Sequence, residues 1–134
     1  MAELIFVCEN GGLGFGDYTL SEKSKLSDFP HQGDLYKIKT FKEITKLEKN
    51  GSFVYESVPG TKVEKFLANE KKVSFQVEGN DATQITLDLE EEKEYRVLVD
   101  DINLGNMSTN IGGKLVISME LTAGKSQSVV IERI

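Results

Sequence analysis

The chain has 134 residues, enough for one domain with one core, since folding at this size removes about two-thirds of the unfolded surface from water. A formal net charge of −6 and a pI near 4.9 oppose phosphate backbones and anionic bilayers, which argues against nucleic-acid and membrane partners. One cysteine excludes an intrachain disulfide framework, and without tryptophan the seven Phe and four Tyr must supply any aromatic ligand surface.

In chain order, Leu4 to Cys8 is a short apolar run closed by Asn10-Gly11-Gly12, the pattern of a buried strand and a turn. It is too short for the apolar region of a signal peptide, and Glu3 precedes it, so the expected compartment is the cytoplasm. Gly12 to Gly16 alternates Gly with Leu13 and Phe15, which in a strand puts both large side chains on one face and allows close approach on the other. Asp17 to Gly33 is polar and reads as a long loop or arm, holding either a short element around Tyr18 to Leu20 or a function.

Leu35 to Leu47 admits two readings. Thr40 and Glu43 have capping-box spacing, with Phe41, Ile44 and Leu47 on one helical face. Asn50-Gly51 between Thr45–Lys49 and Ser52–Glu56 favours a β-hairpin, because the primed turn needs positive φ at both central residues. Val58-Pro59-Gly60-Thr61 is a turn. Beyond it, strand-forming runs recur over 62–67, 73–77, 83–89, 95–99, 115–121 and 128–134. Val73, Phe75 and Val77 share a face, as do Ile85, Leu87 and Leu89, and Leu115, Ile117, Met119 and Leu121. Tyr95 to Leu121 reads as an antiparallel meander broken at Asp100-Asp101 and again from Gly105 to Gly113.

The pattern predicts an all-β single domain, an antiparallel β-sandwich of the immunoglobulin-like kind, with an additional N-terminal hairpin and arm. Residues 1–58 form the N-terminal β segment and arm, and 61–134 the sandwich core.

No chemical motif is complete. A dinucleotide fingerprint starting at Gly12 would need glycine at 17, where Asp17 stands, so the glycines read as a turn and a relieved strand. Cys8 ends an apolar strand and reads as a core thiol, while His31, between Pro30 and Gln32, reads as a solvated turn histidine. One His and one Cys cannot complete an ordinary zinc site, and Asp100, Asp101 and Asn103 lack a calcium-loop pattern. The carboxylates at Asp88, Glu90 to Glu92 and Glu94 read as a solvated acidic run. No catalytic, cofactor-binding or metal residue is assigned, and no cofactor is expected. The candidate binding surface is aromatic: Phe29, His31, Tyr36, Phe53 and Tyr55.

Phe41 to Thr61, with Gly14 to Ser21 before it, resembles a family of short proteins from anaerobic Gram-positive bacteria that carry the label endosialidase. The resemblance implies internal cleavage of polysialic acid. Against that activity, enzymes of that kind use large propeller folds, and the guanidinium groups suited to a sialic acid carboxylate are only Arg96 and Arg133. The second half is similar to small β-sandwich modules of carbohydrate-active enzymes, through Tyr95, Val97, Val99, Leu115, Ile117, Val129 and Ile131. The function expected is a non-catalytic binding or assembly module with a protein or glycan partner, self-associating through the arm. The alternatives are a small glycan-acting hydrolase and a non-catalytic carbohydrate-binding module.

Overall fold

A computed structural model describes residues 3–134. The described chain opens with a hairpin of β1 (Ile5–Val7) and β2 (Leu13–Phe15), followed by a four-strand meander of β3 (Ser24–His31), β4 (Asp34–Phe41), β5 (Ile44–Lys49) and β6 (Ser52–Val58). A second hairpin, β7 (Lys62–Ala68) and β8 (Lys72–Glu78), leads to β9 (Ala82–Asp88) and then to a third, β10 (Glu94–Val99) and β11 (Ile102–Ser108). β12 (Lys114–Glu120) and β13 (Gln127–Arg133) complete the described strands.

Two sheets result, every neighbouring pair antiparallel. One runs β1-β2-β7-β8-β13-β10-β11 and the other β12-β9-β6-β5-β4-β3. They pack face to face as a β-sandwich, with Val63, Phe75, Val77, Val97 and Ile131 of the first sheet buried against Ile38, Leu47, Tyr55, Ile85 and Ile117 of the second.

The alternation after Val73 is the alternation of burial: Val73, Phe75, Val77, Ile85, Leu87, Leu115, Ile117, Met119 and Leu121 are all buried. Asn50-Gly51 forms the β5–β6 hairpin, with φ of 50° and 82°, and this decides against a helix over Leu35 to Leu47, which is two strands joined by a tight turn. Asp100-Asp101 likewise turns β10 into β11 at φ of 50° and 65°.

Three expectations are corrected. First, the meander from Tyr95 to Leu121 is not continuous, because β12 crosses to the second sheet beside β9 and β10 pairs instead with β13. Second, the arm over Asp17 to Gly33 carries its element at Ser24–His31, not at Tyr18 to Leu20. β3 pairs with β4 of its own chain through a Gln32-Gly33 turn with φ of 49° and 86°. Third, residues 1–58 are no appendage to a sandwich formed by 61–134. They supply four of the six strands of the second sheet, and both β2–β7 and β6–β9 pairings cross Pro59-Gly60.

Gly14 shows why the Gly-Leu-Gly-Phe-Gly run is written as it is. The Phe6 ring occupies the space that a Cβ at this position would need, while Leu13 and Phe15 enter the core on the other side. Cys8 is half-buried, not in the core, and its sulfur accepts the Lys65 N–H at 3.3 Å.

Candidate functional site

A groove of about 460 Å³ opens at the end of the sandwich where β5 turns into β6 and β7 terminates. Leu13 and Phe66 of the first sheet form an apolar floor, and both are buried. His31, Tyr36 and Phe53 of the second sheet stand around it, joined by Lys49, Asn50 and Asp88. A smaller cleft of about 200 Å³ shares Ala68 and Asp88 with it and continues past Leu89, Glu90 and Tyr95.

The rim is built by local hydrogen bonding. The Asn50 side chain accepts the Leu35 N–H at 2.9 Å and donates to Asp34 at 2.8 Å, which ties the β5–β6 turn to the start of β4. The His31 and Tyr36 rings lie 6.2 Å apart at 55°. Burial, and secondarily the Asp34 charge, pushes the Tyr36 hydroxyl above the ordinary tyrosine pKa, so it stays a neutral donor at physiological pH. On the other side Lys114 lies over the Phe53 ring, 4.8 Å from its centroid, and pairs with Asp88 at 2.6 Å. Arg133 pairs with Glu90 at 2.6 Å where the smaller cleft continues.

Of the five residues expected at a binding surface, three converge here: His31, Tyr36 and Phe53. Phe29 is half-buried against the core and lies directly across from Tyr36 on the same face of the sheet, but it does not line the groove. Tyr55 is a correction. It is fully buried, its ring set edge-on to Phe15, Phe66 and Phe75 at centroid distances of 5.2 to 6.3 Å. The cause is a bulge in β6. Leu47 pairs with Tyr55 but Glu48 pairs with Phe53, so Val54 is the extra residue and the two rings take opposite sides of the sheet. No period-two reading of Ser52 to Glu56 separates them.

Sequence reasoning missed Phe66 as the floor, Asn50 as the brace and the Lys114–Asp88 pair as the clamp on Phe53. The hairpin signal at Asn50-Gly51 places Asn50 at a turn, but nothing in a single sequence says that its amide reaches back to Asp34. No helix among the described residues is long and apolar enough to cross a membrane. Comparison with protein-family models, curated proteins and solved structures finds no match for the chain.

Proposed function

We propose that this protein is a non-catalytic binding module whose ligand lies in the groove between the two sheets, and that the ligand is a glycan. The observation that supports this reading is the convergence of Tyr36, Phe53 and His31 over the Phe66 floor, with Asn50, Lys49 and Asp88 as hydrogen-bonding groups at the rim. Such a lining offers apolar ring faces to the carbon skeleton of a sugar and short polar groups to its hydroxyls. Hydrolysis asks for two carboxylates facing each other across a bound sugar. Asp88 is the one carboxylate of the main groove, and its charge is engaged by Lys114.

Exchange of the arm between subunits would first require the β3–β4 pairing to open, so binding rather than arm exchange is the better supported half of the reading. Glycan-array binding followed by calorimetry on the full chain tests it. Tyr36→Ala and Phe53→Ala are expected to abolish saturable binding, while Phe41→Ala, outside the groove, leaves it intact. A silent array, or shortening of polysialic acid by the intact protein, overturns the reading.

A further inference from the structure

The outer face of β3, β4 and β5 carries a feature unrelated to the groove. Lys25 sits directly across from Lys39, and Lys39 directly across from Lys46, so three ammonium side chains stand in one row over three adjacent strands. Lys37 is two residues along β4 on the same face, opposite Glu48. These five side chains alone line a cleft of about 110 Å³. None of the four lysines takes part in an ion pair among the described residues. The cleft therefore carries +3 in a chain whose net charge is −6, which leaves −9 on the rest.

Like charges directly opposite across strands destabilise a sheet, and although Glu56 faces Lys46 and Glu48 faces Lys37, Lys25 and Lys39 face lysines alone. Lysine on an edge strand has a familiar use in blocking edge-to-edge pairing. That accounts for Lys25 on β3, which is an edge, but not for Lys39 and Lys46, because β4 and β5 are interior strands. The arrangement is one that a bound anion would relieve. We propose that this lysine row is an anion-binding site for a linear di- or triphosphate group.

The donor chemistry selects the class. Planar carboxylate recognition favours the arginine fork, whereas lysine serves phosphate as a point charge, and no arginine lines the cleft. Adjacent strands lie about 4.8 Å apart, so the row spans about 10 Å from β3 to β5. A chain of two or three phosphates matches that length and reaches all three ammonium groups, whereas a single phosphate would need the three side chains drawn together against their own repulsion. The site shares no lining residue with the groove, so failure of one assignment leaves the other standing.

The test is calorimetry of the full chain with inorganic tripolyphosphate at low and at physiological salt, with adenosine triphosphate as a second arm. One-to-one binding that weakens with salt is expected. Lys39→Gln and Lys46→Gln are each expected to weaken it by about tenfold. Lys71→Gln, in the turn between β7 and β8 of the other sheet, should leave it unchanged. Without ligand, Lys39→Gln should melt no lower than the parent protein, because it removes two like-charge pairs. The absence of saturable heat, equal loss in the Lys71→Gln control, or binding of the nucleotide without binding of tripolyphosphate would each overturn the proposal. Comparable affinity for the two probes would support recognition through the phosphate chain alone.

Discussion

Replacing Thr45 with valine removes one hydroxyl, at nearly constant shape, from the most connected polar site of the interior. Thr40, Thr45, Ser57 and Thr61 are all fully buried. Thr45 Oγ1 donates to the Thr61 carbonyl at 2.9 Å and accepts the Thr61 N–H at 3.0 Å. Its one hydrogen is thereby used, so in the 2.8 Å contact between Thr40 and Thr45 it is Thr40 that donates, and Thr40 in turn accepts the Asp17 N–H at 2.9 Å. The chain of bonds thus has a fixed direction, from Asp17 through Thr40 and Thr45 to Thr61. Thr45→Val orphans two backbone groups at once, the Thr61 N–H and the Thr61 carbonyl, and leaves the Thr40 hydroxyl only the Asp17 carbonyl 3.5 Å away. A buried unpaired group costs about 1 to 3 kcal/mol, so with some relaxation the total is about 2 to 5 kcal/mol. That is a large share of the 5 to 15 kcal/mol or so that holds a typical domain together. Urea unfolding followed by circular dichroism should show a midpoint lowered accordingly at an unchanged m-value, and a melting temperature about 10 °C lower or more. Thr86→Val, on the outer face of β9, is the matched control and should fall within about 0.5 kcal/mol. A Thr45→Val protein within about 1 kcal/mol of the parent would refute the reasoning, since it would mean that water or another donor already serves these groups.

Other outcomes follow from the same geometry. Burial pushes the Tyr55 hydroxyl well above the ordinary tyrosine pKa of about 10, with the Thr61 and Ser57 hydrogen bonds opposing the shift more weakly. A raised folded-state pKa contributes stability that is complete below pH 10 and is lost as the pH rises through the range between the unfolded and folded values. Tyr55→Phe should therefore cost about 1 to 2 kcal/mol at pH 8, and that deficit should shrink by about 1.4 kcal/mol at pH 11, as read from denaturant midpoints at the two pH values. Gly14→Ala drives a methyl into the Phe6 ring and should cost about 1 to 3 kcal/mol in the same assay. Leu47→Ala, at a fully buried position between the sheets, should cost about 2 to 5 kcal/mol.

How far these features could be read in advance depends on what each one rests upon. The sandwich was legible because period-two burial is a local property, written into Val73-Ser74-Phe75-Gln76-Val77 and repeated through β9 and β12. The hairpins at Asn50-Gly51 and Asp100-Asp101 were legible for the same reason, since positive φ at a turn selects its own residues. β3 was not legible, because an edge strand exposed on most of its length needs no apolar alternation, and Pro30 is tolerated there. Its one sequence signal was the glycine of the Gln32-Gly33 turn. Which sheet a strand joins is a long-range choice, so β12 leaving its neighbours for β9 could not be seen in a run that reads as a meander. Of the groove, three side chains were anticipated and one, Tyr55, was placed on the wrong side, because the bulge at Val54 shifts the alternation by one residue.

The hydroxyl chain and the groove occupy opposite ends of the same strands, and this placement explains how the fold keeps an opening between its sheets. β7 begins beside Thr61 and ends at Ala68 in the groove, β5 carries Thr45 near its start and ends at Lys49, and β6 carries Phe53 near its start and Ser57 near its end. At the Thr61 end the turn from β6 to β7 crosses between the sheets, and its backbone is bonded to Thr45 of the second sheet, so the two layers are joined by polar contacts of fixed direction. Tyr18, from the segment after β2, adds a bond from its hydroxyl to Glu78 at the same end. With register and spacing set there, the other end does not have to close. Phe66 can remain the floor of a groove instead of the centre of a sealed core, held from below by Tyr55 and Phe75 at 6.3 and 5.7 Å. Rigidity at the far end gives the groove a preformed shape, which lowers the ordering cost that a ligand would otherwise meet on binding.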